Sequence, residues 1–149
     1  MSTAPQITLR ESNVDDAEFA YKVVKETMRD YAIQTWGVWL DKESKQAAIK
    51  ETESGDVKII ELENDRIGIL LVERSNNQIV IEQIYILPEY QNQGIGTTII
   101  SGLKKESLKL HIPLKLSVLR VNPAKDFYIR NGFIIEKETD ERIYMQYEP

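Results

Sequence analysis

The stretch 87–105, LPEYQNQGIGTTIISGLKK, is the part of this sequence that decides its fold. It follows an apolar run that predicts a strand and ends inside an amphipathic pattern that predicts a helix. Gly94 and Gly96 lie between the two, after the polar residues 91–93. Helix N-termini leave backbone N–H groups unpaired and carry partial positive charge, so they attract phosphate oxygens. Because glycine lets the backbone approach closely and adopt positive φ, the loop predicts an amide cradle for a diphosphate.

Two other glycine motifs do not fit this loop. A dinucleotide fingerprint requires a third glycine at the position of Ile99, and a P-loop requires Lys-Ser or Lys-Thr where Thr97 and Thr98 stand. A tight strand-to-helix turn without any ligand remains an alternative for the loop taken alone.

Length and composition indicate one globular domain, residues 1–149, with an ordinary core. The chain has 149 residues, of which 42% are apolar. No apolar run approaches the roughly 20 residues of a membrane span, and the N-terminal residues 1–12 lack the features of a secretory signal. The absence of cysteine excludes disulfides, thiolate metal sites and a covalent cysteine intermediate. We therefore expect a cytoplasmic protein without a metal or a membrane partner.

The formal net charge of −5 bears on the class of partner. Nucleic-acid binders normally present a basic surface, so this charge argues against such a partner. It favours cationic small molecules, and an anionic ligand would have to be held by local geometry.

Hydrophobic periodicity predicts a short first strand, two helices and three consecutive strands, followed by a helix, a strand, a short helix and a closing hairpin. The order is β, α, α, β, β, β, α, β, α, β, β, which predicts an α/β fold with a mixed, mostly antiparallel central sheet and helices on both faces. The predicted strands cover 7–10, 57–62, 66–73, 78–87 and 114–122, followed by a closing hairpin over 133–147. The predicted helices follow Asn13, cover about 41–53, follow the glycine loop, and cover about 123–131.

Two motifs together resemble the GNAT acyltransferase superfamily. The first is Gln91-x-x-Gly94-x-Gly96 after a strand that ends IYILPEY, and the second is VNPAKDFYIRNGF at 121–133. The order of elements also matches this family over nearly the whole chain, although the first 55 residues carry less of the resemblance.

The resemblance implies an acyl-CoA site. Its pyrophosphate would bind at Gln91, Asn92, Gln93, Gly94, Ile95, Gly96 and Thr97. The pantetheine arm would pair with the backbone of Ile84, Tyr85 and Ile86, and Asn122 would hydrogen-bond near it from the other side. Relatives often carry Arg or Lys at the position of Gln93, so here the diphosphate would depend more on backbone amides.

Tyr128 matches the residue that donates a proton to the departing thiolate in this family and that contacts the cofactor's thiol end. A phenol with a pKa near 10 can protonate a thiolate whose conjugate acid has a pKa near 8.5. The alternative is an aromatic core residue beside Phe127.

Glu82 is the candidate base, because it interrupts the apolar run IVIEQIYIL and approximately matches a glutamate of the family. A buried carboxylate has a raised pKa, which would suit a base that deprotonates an ammonium group. The alternative is a salt-bridged or edge-exposed glutamate. His111, the only histidine, is expected to be a loop residue rather than a base.

Three aromatic residues lie in or beside the segment between the first two helices, which covers the acceptor pocket in the family. Tyr31, Trp36 and Trp39 could line that pocket and suit a hydrophobic or cationic acceptor. Alternatively, a tryptophan anchors the helical pair to the sheet.

The resemblance implies an N-acetyltransferase that moves an acetyl group from acetyl-CoA to a small-molecule or peptide amine. Because cysteine is absent, we expect direct transfer in a ternary complex, without an acyl-enzyme. The alternatives are a non-catalytic regulatory module that binds CoA or acyl-CoA, and a structural domain without a ligand. An exposed C-terminal hairpin could support a homodimer.

Overall fold

The computed structural model describes residues 6–149, so the first five residues of the segment searched for a secretory signal lie outside it. The strands are β1 (Ile7–Glu11), β2 (Lys58–Leu62), β3 (Asp65–Arg74), β4 (Ile79–Ile86), β5 (Leu114–Leu119), β6 (Ile134–Glu138) and β7 (Arg142–Tyr147). The helices are α1 (Ala17–Trp36), α2 (Asp41–Ser54), α3 (Ile95–Leu110) and α4 (Ala124–Arg130). This order confirms the α/β prediction.

The strands form one seven-stranded sheet with the order β1-β2-β3-β4-β5-β7-β6. β4 and β5 are parallel, and their register pairs Ile79 with Leu114 and Ile81 with Leu116. The pairs β1–β2, β2–β3, β5–β7 and β6–β7 are antiparallel. The prediction of a mixed, mostly antiparallel sheet is therefore confirmed.

Local signals explain where the first two helices begin and end. Asn13 caps a 3-10 turn over Val14–Asp16 through a capping box, because its side chain accepts from Asp15 N and Asp16 accepts from the Asn13 backbone. α1 follows directly and ends at Trp36, before Gly37, and α2 ends at Ser54, before Gly55; both glycines have φ of 79°. Only glycine adopts this left-handed conformation without strain, so both helices stop there.

The predicted strand over 114–122 was too long. β5 ends at Leu119, and the chain then turns, with Asn122 N donating to Leu119 O at 2.9 Å. The apolar Val121 extended the pattern, although its side chain is 41% exposed.

The chain divides into two compact units that interleave along the sequence. Among the described residues, unit 1 is 6–71 with Gln83–Gly96, and unit 2 is Val72–Glu82 with Thr97–Pro149. The single-domain assignment stays a prediction. In unit 1 the core contains the buried side chains Ala20, Val23, Ala48, Val57, Ile59, Ile69 and Leu87. Unit 2 buries Ile79, Ile81, Ile100, Leu103, Leu114, Leu116, Phe133 and Met145, among others.

No helix within residues 6–149 is long and apolar enough to span a bilayer.

Candidate functional site

The glycine loop of unit 1 connects β4 to α3 and is exposed from Gln91 to Gly94. Gly94 has a φ of 83° and Asn92 a φ of 63°, so the backbone turns through the left-handed region twice before α3 begins at Ile95. Gly94 therefore meets the conformational requirement that the sequence predicts. Gly96 does not, because it lies within the first turn of α3 and is absent from the positive-φ residues. The absence of its side chain affects space rather than backbone conformation.

The side-chain amides of the loop stabilise the loop itself. Gln91 Nε2 donates to Ile86 O at 2.8 Å, and Gln93 Nε2 donates to Glu89 O at 3.1 Å. The backbone N–H of Gln91 donates to Pro88 O at 3.2 Å. The Gln91 amide is thus occupied within the 3-10 turn Pro88–Tyr90, and backbone N–H groups for an anion have to come from later in the loop.

The C-terminal half of β4 lies against a glycine of β3. A Cβ atom at Gly68 would lie only 2.3 Å from Tyr85 O and 3.1 Å from Ile86 Cα. No other residue can stand at position 68 without moving this backbone. Ile84, Tyr85 and Ile86 are all half-buried, and Tyr85 packs against the core cluster of unit 1. Gly68 therefore fixes the backbone that the family resemblance assigns to the pantetheine arm.

The predicted acceptor residues of unit 1 have different environments. Trp39 Nε1 donates to Asp41 Oδ1 at 3.1 Å, and the hydroxyl of Tyr21 donates to the same oxygen. These hydrogen bonds, the one from Tyr21 first, lower the pKa of Asp41. Trp39 thereby joins the start of α2, whereas Trp36 is 47% exposed and Tyr31 is half-buried.

One contact in unit 1 was not singled out from the sequence. Gln83 Nε2 on β4 lies 3.4 Å from Glu51 Oε2 on α2. The signal that could have pointed to it is the second polar letter in the run IVIEQIYIL, next to Glu82. Its partner on α2 is distant in sequence from both family motifs, and no pattern around it points to this contact.

The sequence predicts a buried Glu82, but in unit 2 this residue is not buried. Its side chain is exposed, because it alternates along β4 with the buried Ile81 and so lies on the other face of the strand. Partial desolvation nevertheless raises the pKa of Glu82, and the charge of Glu73 and a hydrogen bond with it raise that pKa further. The burial argument for a base is therefore wrong, while the direction of the pKa shift is the predicted one.

Tyr128 and Asn122, both in unit 2, are integrated into the structure around α4. Tyr128 is only 7% exposed and makes edge-on ring contacts with Phe127 at 5.2 Å and Phe133 at 5.7 Å. Asn122 Oδ1 accepts from Ala124 N at 2.9 Å and so fixes the entry into the helix. The ring of Tyr128 is therefore packed among aromatic residues, as the packing alternative predicts. The chemical role of its hydroxyl stays a prediction.

His111 is exposed, with a φ of 57°, in the turn that ends α3, as expected of a loop residue. Among residues 6–149, no group of three His, Cys, Asp or Glu side chains is arranged to hold a metal ion.

Comparison with known proteins gives both a family and a fold. Residues 53–135 match the model of the acetyltransferase (GNAT) domain. No curated protein matches the chain significantly. Three solved structures are similar over nearly all of both chains. A paia N-acetyltransferase from Thermoplasma acidophilum in complex with coenzyme A is 21% identical, with 97% of this chain and 99% of that one covered and a TM-score of 0.72.

An acetyltransferase from Thermus thermophilus is 15% identical, with 99% of this chain and 100% of that one covered and a TM-score of 0.77. A GNAT-family acetyltransferase from Bacillus anthracis is 14% identical, with 98% and 96% covered and a TM-score of 0.70. At these identities the likeness shows a shared fold. The family match covers more than half of the chain, so the protein belongs to the GNAT acetyltransferase family.

Proposed function

We propose that this protein is an N-acetyltransferase that transfers an acetyl group from acetyl-CoA to a primary amine within a ternary complex. The observation that carries the proposal is the loop before α3. Its φ of 83° at Gly94 and the missing side chain at Gly96 leave an exposed backbone at a helix N-terminus. These residues fit a diphosphate, because such a backbone combines close approach with favourable charge.

The remaining binding residues follow from the family resemblance. Asn92, Gln93, Gly94, Ile95, Gly96 and Thr97 would hold the diphosphate, and the Gln91 side chain would brace the loop through its hydrogen bond to Ile86 O. The backbone of Ile84, Tyr85 and Ile86 would align the pantetheine arm. The parallel ladder supports this, since its registered pairs end at Ile81 and Leu116, before that segment begins.

Acetyl-CoA, when bound, would supply the acetyl thioester that the amine attacks. Glu82, whose raised pKa brings it closer to the working range of a base, would take a proton from the arriving ammonium group directly or through water. The hydroxyl of Tyr128 would hold the proton that goes to the departing sulfur, and Asn122 would contribute hydrogen bonding from the α4 side. The absence of cysteine supports direct attack by the amine rather than an acyl-enzyme.

The acceptor would approach the segment between α1 and α2. Trp36 is the best candidate for contact with it, because its large ring is 47% exposed. Trp39 would affect the acceptor only indirectly, because its hydrogen bond to Asp41 holds the segment between α1 and α2 in place. Tyr31, half-buried near the end of α1, would line the inner side. The net charge of −5 favours a cationic acceptor in a cytoplasmic setting.

One alternative keeps the CoA site and lacks turnover: a regulatory module that binds CoA. The burial of Tyr128 among aromatic rings favours it, because a core aromatic residue needs no catalytic role.

Release of free thiol from acetyl-CoA, measured across polyamines, amino acids, aminoglycosides, peptides and protein N-termini, decides between the two. Turnover with at least one amine class supports the enzyme. If CoA raises the melting temperature but no amine releases thiol, the regulatory module is the better account. Without any thermal effect of CoA, both would be wrong.

A further inference from the structure

Gln83 carries a buried hydrogen-bond acceptor that has no partner among residues 6–149 of the chain. Its Oε1 is inaccessible to solvent, and only Thr35 Oγ1 shares this condition among the described side chains. Buried polar atoms in proteins nearly always have a partner, since an unsatisfied one costs the free energy of its desolvation. A side-chain carbonyl can be satisfied only by a donor, so a partner for Gln83 Oε1 would have to be an N–H or O–H group from beyond residues 6–149.

Glu51 determines which way the Gln83 amide points. The Glu51 carboxylate, 3.4 Å from Gln83 Nε2, accepts from the amide nitrogen. The reversed orientation would place the amide oxygen against the carboxylate, and two acceptors repel each other. As long as Glu51 is ionised, it therefore holds Oε1 on the side of the amide away from the Glu51 carboxylate.

The surroundings of Glu51 are only partly hydrated and carry negative charge. Desolvation raises the pKa of Glu51, the hydrogen bond from Gln83 lowers it, and the charge of Asp56 raises it. A cationic group arriving here would relieve the repulsion between the two carboxylates. The environment thus suits an ammonium donor better than a neutral hydroxyl.

The position of Gln83 on β4 relates this acceptor atom to the proposed acetyl-CoA site. Gln83 immediately precedes Ile84, the first residue of the segment assigned to the pantetheine arm. With the diphosphate at the glycine loop and the arm running back along the strand, the sulfur end would lie nearest to Ile84. Gln83 is therefore one residue, about 3.3 Å along the strand, from Ile84. Its side chain lies on the opposite face of β4 from Glu82, so a proton from an amine held at Gln83 would reach Glu82 through water.

We infer that Gln83 Oε1 accepts a hydrogen bond from the amino group that is to be acetylated, and that Glu51 is the positioning residue that orients the Gln83 amide. This inference rests on the proposed function. It makes the preferred acceptor a primary amine that arrives as a cation, and it adds a substrate-binding residue that the family motifs do not contain.

The first test replaces Gln83 by methionine, which keeps the length of the side chain and removes the acceptor. With the amine that gives the highest kcat/KM in the panel above, Gln83→Met should raise the KM for the amine about tenfold, the size of one net hydrogen bond. The KM for acetyl-CoA should not change. The melting temperature is not diagnostic here, because the substitution removes both the unsatisfied oxygen and the hydrogen bond from Nε2 to Glu51. An unchanged amine KM would overturn the inference.

The second test addresses Glu51. Glu51→Gln is isosteric but accepts either orientation of the Gln83 amide, so the KM for the amine should rise while the KM for acetyl-CoA stays constant. Glu53→Gln removes the same charge from an exposed position of the same helix and should leave both values unchanged. Equal effects of the two substitutions would show that Glu51 acts only through its charge, which contradicts a positioning role.

A third measurement does not depend on turnover. n-Butylammonium chloride and tetramethylammonium chloride carry the same charge, but only the first has N–H donors. In the presence of CoA, n-butylammonium should raise the melting temperature of the native protein more than tetramethylammonium does, and this difference should vanish in Gln83→Met. Equal shifts in the native protein would refute the inference. A native protein that shows the difference yet acetylates no amine would instead contradict the proposed function.

Discussion

Glu82 has a like-charged neighbour, and this pair governs the chemistry that the residue can perform. Desolvation is the first cause of its raised pKa, and Glu73 adds both a charge and a hydrogen bond. A neighbouring carboxylate disfavours the charged form of Glu82, which is why it adds to the rise in pKa. The sequence pointed to the residue through one charged letter in an apolar run, but it could not supply the neighbour, which comes from the preceding strand.

Removing the charge of Glu73 should make Glu82 a weaker base. The raised pKa means that the native enzyme loses the basic form of Glu82 as pH falls through that value. In Glu73→Gln the pKa of Glu82 should fall towards its ordinary value, so the acid limb of the kcat/KM profile should move to lower pH. Profiles recorded with saturating acetyl-CoA measure this shift. Glu82→Gln should lose most activity at low pH and recover partly as rising pH deprotonates the amine in solution, while Glu53→Gln should keep the native profile. Three superimposable profiles would mean that Glu82 is not the base.

At Tyr128, a substitution can separate the packing role of the ring from the chemical role of the hydroxyl. Tyr128→Phe retains the ring contacts with Phe127 and Phe133, so the melting temperature should change little. If the hydroxyl is the acid, kcat should fall about 100- to 10,000-fold while acetyl-CoA still binds. Tyr147→Phe, another tyrosine that contacts Phe133, is the matched control and should keep full turnover. Native kcat in Tyr128→Phe would assign the residue to packing alone.

At the scale of elements, the helix α3 and its loop were predictable because local sequence determines them. A strand, two glycines and an amphipathic run identify the turn without any knowledge of distant residues. The sequence pattern could not show that the two glycines are needed for different reasons. Gly94 is needed for its φ of 83°, whereas Gly96 lies in a helix, where an alanine would be tolerated by the backbone. Likewise, no local signal reveals that Gly68 is required by the carbonyl of Tyr85 on the next strand.

This difference gives a prediction for the two glycines. Gly94→Ala forces a side chain into the left-handed region, so it should lower the free energy of unfolding by about 1 kcal/mol. Gly96→Val should not strain the backbone, and helix propensity favours it slightly, yet its side chain should obstruct the diphosphate. Isothermal titration with CoA should therefore show a much higher Kd for Gly96→Val in a protein at least as stable as the native one. A native Kd in that variant would exclude the cradle.

At the scale of the whole molecule, the order of elements could be predicted, but the contacts that join distant segments could not. Asp16 shows this most clearly. Its position three residues after Asn13 suits an acidic side chain in a first helical turn, whereas the structure buries it at 3% exposure between two arginines. Arg10 donates to both of its oxygens at 2.9 Å, and Arg66 of β3 donates at 3.2 Å. The partner on β3, distant in sequence, follows only from the pairing of β1, β2 and β3.

This carboxylate should make the stability of the protein depend on pH in the acid range. The hydrogen bonds from Arg10, first, and from the Asn13 backbone and Arg66 lower the pKa of Asp16 from 3.8 to about 2. A lowered folded-state pKa stabilises the protein fully above the unfolded value, and the stabilisation is lost as pH falls through the folded value. Asp16 should therefore contribute about 2 kcal/mol near neutral pH. Urea unfolding of native protein and Asp16→Asn should differ by about this amount at pH 7.

The difference should shrink through the window between about pH 5 and pH 2, because the native carboxyl then becomes protonated and resembles the amide. Asp15→Asn, at the exposed neighbouring position, should match the native protein at every pH. If the free-energy difference for Asp16→Asn stayed constant down to pH 2, its cause would be the changed shape of the side chain. The ion pairs to Arg10 and Arg66 would then contribute nothing to holding β1, β3 and the start of α1 together.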